Sequence, residues 1–192
     1  MDHVPQSIRG EYEAHGAEAF YRERGSSYRN PHEPRLLIAL DQALARWNLS
    51  TISVLDLAAG SGEITLALRD RGAKRVTGVD PYTFAAYESR TGQPCERFSF
   101  AQIADGALAG RNYSLIVCSY AMHLCEKSRL PALCLQLSLI APQLLIFTPH
   151  KRPIIRGEWG WTLAGEFVVQ RIRARLYNST NAHGSSGHPD NR

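Results

Sequence analysis

Short apolar runs alternate with segments of helical period along most of this chain. The runs contain few polar residues, as expected of strands buried on both faces, and they lie at 53–57, 75–79, 113–119 and 143–147, with a shorter one at 97–100. The segments of helical period lie at 35–47, 63–69, 82–89 and 129–140. Regular alternation of strand and helix predicts a mostly parallel sheet with helices packed on its faces.

The two ends of the chain depart from this alternation. Residues 1–34 are rich in Tyr, His, Arg and Glu and end in two prolines, which predicts an irregular cap or lid rather than a core strand. After Pro149 the run 167–177 predicts one or two antiparallel edge strands with a basic outer face. Residues 178–192 are mainly Ser, Gly, Asn and His, which predicts a disordered tail. The folded domain is therefore expected to span 35–177.

Composition narrows the class of protein further. A chain of 192 residues with 44% hydrophobic content is the size of one domain with a single substantial core. The first residues carry no basic stretch and no apolar segment, and no run approaches the roughly 18 apolar residues of a membrane span, so we expect a cytoplasmic protein without membrane association. The four cysteines form no CxxC pair, so neither a metal site nor a disulfide is predicted.

The charge gives a weaker indication of partners. The net charge is +4, and much of the excess lies late in the chain, in the cations at 151, 152, 156, 171, 173 and 175. These cations indicate either an anion-binding surface or a solvated strand face. No aromatic residues accompany them at the spacing of an RNA-binding surface, so nucleic acid is a possible but not a favoured partner.

The most informative segment is the turn that follows the first predicted strand. Asp56 lies near the strand end, and Gly60 and Gly62 follow it before a helix begins, so a ligand can approach bare backbone at a helix N-terminus. A dinucleotide fingerprint requires a third glycine, which this turn lacks, and Glu63 lies where pyrophosphate requires positive potential. An anionic dinucleotide is therefore disfavoured, whereas a cationic ligand tolerates these acids.

From residue 35 to residue 150 the sequence resembles the class I S-adenosylmethionine-dependent methyltransferases. The resemblance implies a three-layer αβα Rossmann-like fold and S-adenosylmethionine as cofactor. Asp56, Gly60 and Gly62 match the first motif of the family, whose acid supports the methionine amino group. Asp80, with Pro81 after it, falls where the family places the acid that binds both ribose hydroxyls.

Other positions implied by the resemblance are less regular. Gln102 and Ile103 align with the residues that bind the adenine amino group and cover the adenine face, and the alternative is a loop residue and a core aliphatic. Ala58 replaces the first glycine of the common motif, so we include it among the cofactor contacts as a departure. Ser114 stands where an aspartate often follows the tyrosine, and this change retains hydrogen-bonding capacity.

The fourth-strand motif of the family faces the transferable methyl group, which places Ser119, Tyr120 and His123 near the reaction. His123 is a candidate general base, because an imidazole accepts a proton near neutral pH, and Tyr120 is a second candidate catalytic residue. The alternative for His123 is a structural hydrogen bond to a backbone carbonyl. An acceptor that is already nucleophilic needs only positioning and no base.

The acceptor site is expected between the N-terminal segment and the later strand ends. Tyr21, Tyr28, Asn30 and His32 form either a lid that lines the acceptor pocket or a cap on the sheet edge. His150, with Arg152 beside it, contacts either an anionic acceptor or only solvent. Without a long insertion for a separate substrate domain, a small-molecule acceptor is favoured over RNA or protein.

Two other classes of function compete with methyl transfer. Ala58, Ser114 and the minimal length are also compatible with a non-catalytic methyltransferase-like binding protein. An NAD(P)-dependent oxidoreductase is the third hypothesis, and the missing glycine argues against it. The sequence pattern indicates neither the atom that is methylated nor an oligomeric state.

Overall fold

The computed structural model describes residues 25–181 of the 192-residue chain. Within that range the α-helices are α1 (Glu33–Arg46), α2 (Glu63–Asp70), α3 (Phe84–Thr91), α4 (Phe100–Ala104) and α5 (Leu130–Ile140). The strands are β1 (Ser53–Leu57), β2 (Arg75–Val79), β3 (Cys95–Glu96), β4 (Leu115–Ser119), β5 (Gln143–Thr148), β6 (Trp161–Val169) and β7 (Ile172–Ser179). Single 3₁₀ turns lie at Gly25–Ser27, Met122–Leu124 and Gly157–Trp159.

The seven strands form one sheet in the order β3-β2-β1-β4-β5-β7-β6. The first five strands of that order are parallel, and β7 and β6 add an antiparallel hairpin at one edge. The prediction of a mostly parallel sheet with antiparallel edge strands near the C-terminus is confirmed. Because β1 lies at the centre with helices on both faces, all five of its residues are buried.

Two apolar layers separate the sheet from its helices. On one face α1 and α2 pack against alternate residues of the central strands, as Leu40, Ile64 and Val54 illustrate. On the other face α5 and α4 pack against the intervening residues, as Leu133 and Ile116 illustrate. The layers confirm the three-layer αβα architecture, since residues that alternate along each strand face opposite helix layers.

Several element boundaries differ from those expected. Helix α1 begins at Glu33, because Pro34 occupies the first turn, where its missing N–H costs no hydrogen bond. The strand expected at 97–100 is instead the two-residue β3, which ends at Glu96. The reason is Ser99, whose hydroxyl caps the N-terminus of α4 and so ends the extended segment.

The C-terminal boundary of the domain also lies later than expected. Strand β7 extends past residue 177 to Ser179, and the Asn181 amide donates to the Ser138 hydroxyl at 2.8 Å. The first residues assigned to a disordered tail are therefore part of the fold. The rest of that tail and residues 1–24 lie outside the described residues.

The basic outer face expected for the edge strands is largely absent. Arg175 is buried, and both Arg175 and Arg173 pair with Glu166 of β6. The four cysteines are free thiols in buried positions. Across the described range, none of the helices combines the length and apolar character needed to cross a membrane.

Candidate functional site

A cavity of about 340 Å³ opens at the edge of the sheet where the parallel strands end. The ends of β1, β2 and β4 line it, together with the segment after β3 and part of the N-terminal segment. Ligand sites of open α/β sheets lie outside the carboxyl ends of the strands, so this is the expected place for a cofactor. The segments expected to converge on one crevice do so.

The turn after β1 approaches the cavity through residues in the left-handed region of φ. Ala58 has φ +55° and Gly60 has φ +59°, and both line the cavity. A Cβ on Gly60 would lie 3.2 Å from Cε1 of Tyr28 and 3.1 Å from Oε2 of Glu63. Glycine at this position therefore leaves backbone exposed to the cavity where a side chain would crowd it.

Gly62 contributes to the site in a different way from Gly60. It precedes α2 with φ +84°, and its N–H donates to the Ala59 carbonyl at 2.9 Å. A Cβ here would overlap the Thr91 methyl group, and Gly62 is not among the residues that line the cavity. This glycine allows α2 to pack closely against α3, and the direct cofactor contact expected of it stays a prediction.

Asp80 lies at the end of β2 and holds the neighbouring loops together. Its Oδ1 accepts the N–H groups of Tyr82 and Thr83 at 2.9 and 2.8 Å, and its Oδ2 accepts the Gly60 N–H at 3.2 Å. A carboxylate offers about four acceptor sites. The side chain is 7% exposed and lines the cavity, so one remaining lone pair is free to accept a ligand hydroxyl.

Asp56 lies in strand β1, is fully buried and does not line the cavity. Its Oδ2 accepts the Thr65 hydroxyl at 2.7 Å, and the Thr65 oxygen lies 3.1 Å from the Tyr87 hydroxyl oxygen. Its Oδ1 has no partner among the described residues. Burial raises the pKa of Asp56 to about 8, with smaller contributions from nearby acids. The methionine-supporting role expected of Asp56 stays a prediction.

Glu63 is a second buried carboxylate, and unlike Asp56 it lines the cavity. Its Oε1 accepts the backbone N–H of Asn30 at 3.1 Å and the Ser61 hydroxyl, and it lies 3.6 Å from Nη1 of Arg90. Sequence reasoning used Glu63 only to exclude pyrophosphate. Its position directly after the glycine turn is the signal that identifies it as a site residue.

The segment after β3 supplies aromatic walls rather than the expected pair of residues. Phe98 and Phe100 line the cavity, whereas Gln102 and Ile103 do not. The Gln102 side chain is used at the start of α4, where its Oε1 accepts the Ser99 N–H at 2.9 Å. Ile103 is fully buried in the core. The adenine contacts expected of these two residues are not supported by their placement.

The end of β4 borders the cavity with Ser119 and Tyr120. Tyr120 has φ +56°, an uncommon conformation for a bulky residue and one that functional sites often hold. Its N–H donates to the Phe147 carbonyl at 2.8 Å, and its ring stacks on His32 with centroids 5.5 Å apart. Burial raises the pKa of Tyr120 to about 12, so its hydroxyl stays protonated at neutral pH.

His123 lies three residues beyond Tyr120, and its ring centroid is 4.4 Å from that of His150. Partial burial and, secondarily, His150 lower the pKa of His123 to about 4, so the imidazole is neutral at physiological pH. Neither histidine lines the cavity itself, whose nearest lining residue in sequence is Leu124. The two imidazoles are therefore not part of the cavity wall, although His123 adjoins the lining residue Leu124 in sequence.

The N-terminal segment takes part in the site as far as it is described. Tyr28 and Asn30 line the cavity, and His32 contacts it only through its stack on Tyr120. Tyr21, the remaining residue expected in the lid, lies outside the described residues. Pro81 lines the cavity beside Asp80, as the position after the acid requires.

The charge and shape of the cavity fit S-adenosylmethionine. Two buried carboxylates, Glu63 and Asp80, face a cavity whose other walls include the aromatic side chains of Tyr28, Phe98, Phe100 and Tyr120. A ligand with an ammonium group, a sulfonium centre, ribose hydroxyls and a flat base matches that combination, because each buried acid gains a cation or a donor. The exposed backbone at Gly60 adds the close approach that the ligand requires.

Two sequence comparisons support this interpretation. A family model described as a methyltransferase domain matches residues 54–139. An uncharacterized protein of Schizosaccharomyces pombe is 30% identical over 233 residues, and the match covers 93% of this chain and 94% of that protein. The matched range contains the turn after β1 and the end of β4, the two segments that border the cavity.

Solved structures share the fold at low sequence identity. The magnesium protoporphyrin IX methyltransferase of Synechocystis with bound S-adenosylmethionine is 17% identical, with a TM-score of 0.58, and the match covers 92% of this chain and 98% of that one. An rRNA methylase of Escherichia coli is 14% identical, with a TM-score of 0.59, and the match covers 88% of this chain and 73% of that one. These two structures have acceptors of different classes.

Proposed function

We propose that this chain, of which residues 54–139 match a methyltransferase-domain family model, is a class I S-adenosylmethionine-dependent methyltransferase that binds its cofactor in the cavity and transfers the methyl group to a small-molecule acceptor. The observation that carries the proposal is the convergence of Gly60, Asp80 and Tyr120 from three strand ends on one cavity with two buried acids. The cofactor supplies an activated methyl group, and the chain supplies position and proton acceptance.

Each part of the site has a distinct task in this proposal. Asp80 accepts a ribose hydroxyl with its remaining lone pair, and Glu63 faces the positive end of the methionine portion. Phe98 and Phe100 enclose the adenine. Asp56 acts from beneath the turn by fixing the start of α2 through Thr65, at an Oγ1–Oδ2 distance of 2.7 Å.

At the acceptor side, Tyr120 forms the wall next to the transferable group, and its stack on His32 fixes the ring. A neutral His123 at the rim is able to accept a proton from an acceptor hydroxyl or amine, although its lowered pKa makes it a weak base. Such a base suits an acceptor that is already a good nucleophile. Alignment of the acceptor then supplies most of the rate.

The size of the cavity bears on the acceptor. A volume of about 340 Å³ is near the lower end of the range for small-ligand sites, roughly 300–1,000 Å³. One nucleoside-sized ligand occupies most of that space. The acceptor therefore enters at the rim formed by Tyr120, Leu124 and the loop after β5, where a compact molecule reaches the site more readily than a folded polymer.

Calorimetric titration of S-adenosylmethionine and S-adenosylhomocysteine tests cofactor binding. We expect micromolar affinity for the wild type and an affinity at least tenfold weaker for Asp80→Asn. The reason is that the side-chain amide of the asparagine places an N–H donor against the Gly60 N–H, which the carboxylate of Asp80 accepts. The matched control is Asp70→Asn, an exposed residue on α2 with the same charge change, which leaves the affinity unchanged. Absence of binding to the wild type, or binding of NAD in its place, overturns the proposal.

A turnover assay separates methyl transfer from mere cofactor binding. Incubation of the protein with S-adenosylmethionine and a panel of small acceptors should release S-adenosylhomocysteine with at least one of them. Release with RNA or protein acceptors alone contradicts the small-molecule part of the proposal. Tight cofactor binding without release from any class favours the non-catalytic alternative.

A further inference from the structure

The loop that follows β5, residues 149–153, is held by a buried arginine from β7. Arg175 donates from Nη2 to the Lys151 carbonyl and from Nη1 to the Pro153 carbonyl, each at 2.8 Å. Its Nε donates to Oε2 of Glu166 at 2.6 Å, and the side chain is 6% exposed. A buried guanidinium that donates hydrogen bonds to two loop carbonyls fixes the backbone of an otherwise exposed loop.

The same loop presents two cations to solvent. Lys151 and Arg152 are exposed, and neither has a carboxylate within ion-pairing distance in the part of the chain that the structure describes. Three of the other late arginines differ, because Arg156, Arg173 and Arg175 are each paired with a glutamate. Among the late cations of the described chain, exposed charge without an ion pair therefore remains on the loop after β5 and on Arg171 at the turn between β6 and β7.

The loop lies beside the segment after β4, part of which lines the cavity. His150 donates its N–H to the Thr148 hydroxyl at 3.1 Å, and its ring centroid lies 4.4 Å from that of His123. Strand β5 is paired with β4 up to Ser119, whose neighbour Tyr120 lines the cavity. The buried acids Glu63 and Asp80 thus face the cavity, whereas the cations of this loop lie next to the segment after β4.

We propose that the loop at 149–153 binds a carboxylate or phosphate group of the small acceptor, with Lys151 and Arg152 as the contacting cations and Arg175 as the positioning residue. The inference rests on the proposed function. The β4–α5 segment adds one charge of each sign to the cavity lining, Glu126 and Arg129, so it does not cancel the excess on the loop.

A small anion fits these observations better than RNA does. A phosphodiester chain is bound by a stripe of cations that extends over several nucleotides. Here two of the three arginines of the edge hairpin, Arg173 and Arg175, are engaged by Glu166, which leaves only Arg171 of the described hairpin to continue such a stripe. Two free cations on one fixed loop beside an aromatic cavity suit one anionic group on an apolar molecule.

Nuclear magnetic resonance titration of the full chain tests the inference without knowledge of the acceptor. The probes are benzoate and phenyl phosphate, with benzamide as the neutral match for benzoate, each added with and without saturating S-adenosylhomocysteine. We expect both anions to shift the backbone amide signals at 150–152 and benzamide to leave them unchanged. Lys151→Gln should weaken anion binding about threefold, and Lys151→Gln with Arg152→Gln about tenfold.

Lys74→Gln is the matched control, since Lys74 is an equally exposed, unpaired lysine of the described chain at the opposite edge of the sheet. Equal weakening by Lys74→Gln and Lys151→Gln, or equal binding of benzamide and benzoate, overturns the inference. A ten-nucleotide single-stranded RNA that displaces phenyl phosphate from the loop at lower concentration also overturns it. Failure of S-adenosylhomocysteine to bind the same samples is recorded separately and counts against the proposed function.

Discussion

The turns after β1 and β2 differ from the loop after β5 in what holds them. The two turns, which line the cavity, are held by their own residues: Asp80 binds the backbone of both turns, and Gly60 occupies a conformation with φ +59°. The loop after β5 is held from outside by Arg175 of β7, which donates to the Pro153 carbonyl. The cofactor side is thus fixed by residues of the turns themselves, and the loop after β5 by a side chain of another strand.

This difference suggests how the molecule combines a fixed cofactor site with an adaptable acceptor site. A turn whose shape depends on glycines and a buried acid tolerates few substitutions. Such a turn suits a site that always binds the same cofactor. A loop held through backbone carbonyls retains its shape when its own side chains change. If the loop binds the acceptor as proposed, we expect substitutions at 150–152 to alter acceptor specificity without loss of the fold.

The largest effect that we expect on the cofactor side concerns Asp56. Its folded-state pKa of about 8 lies above the unfolded value of 3.8, so the folded protein binds more protons than the unfolded protein between those pH values. The contribution of Asp56 to the free energy of unfolding is then largest at low pH, and it is lost as the pH rises through the folded pKa. From pH 5 to pH 8 the free energy of unfolding should decrease by on the order of 4 kcal/mol relative to Asp56→Asn.

Urea denaturation at several pH values from 5 to 9 measures this difference. The Asn variant reproduces the neutral acid and should show a flatter profile than the wild type. Asp70→Asn, which changes an exposed acid on α2, should retain the slope of the wild type. Parallel profiles for wild type and Asp56→Asn would show that the buried acid is ionised in the folded state.

The second effect concerns Gly62, where Gly62→Ala should lower the free energy of unfolding by about 2–4 kcal/mol. Two costs combine here, because φ is +84° and the new Cβ overlaps the Thr91 methyl group. Gly72→Ala is the matched control, since Gly72 has φ +85° with no atom within 4 Å of the new Cβ. That control should cost about 1 kcal/mol, and equal losses for both variants would refute the packing role of Gly62.

These contrasts explain which parts of the molecule were predictable from the sequence. Strands β1 and β2 begin and end where their apolar runs predict, because β1 is buried along its whole length, β2 is buried at its end, and turn residues bound both runs. The turn after β1 was predictable for a different reason, because glycines such as Gly60 and Gly62 indicate a turn in which the backbone adopts positive φ. Two-residue β3 was not, because the Ser99 cap competes with the extended pattern over the same residues.

The acceptor side was less accessible to sequence reasoning. Nothing local indicates that Arg175 turns inward to hold a loop, because β7 alternates arginines with apolar residues as a solvated strand does. The contact between His123 and His150 joins residues 27 positions apart, and only the pairing of β4 with β5 brings their loops together. The capping role of Gln102 was not predictable, because a helix cap and an adenine contact require the same kind of side chain.

The third effect tests the constraint that β7 places on the loop after β5. Arg175→Lys removes the forked contacts to the loop, and we expect the free energy of unfolding to fall by about 1–3 kcal/mol, with faster amide hydrogen exchange at Lys151 and Arg152. Arg173→Lys is the control, because Arg173 pairs with the same Glu166 but touches no loop carbonyl. S-Adenosylhomocysteine affinity should not change in either variant. Equal exchange at Lys151 and Arg152 in both variants would mean that the loop is held by other contacts.

The smallest effect concerns the two imidazoles at the rim. Partial burial is the larger cause of the lowered pKa of His123 and the neighbouring His150 the smaller, so His150→Gln should raise that pKa by less than one pH unit. Histidine resonances followed by nuclear magnetic resonance from pH 3.5 to 8 measure the change, with His32→Gln as the control that leaves His123 unaffected. Titration of wild-type His123 near 6.5 would show that its ring is solvated and free of His150. The imidazole would then be a stronger base at neutral pH than the proposed function assigns to it.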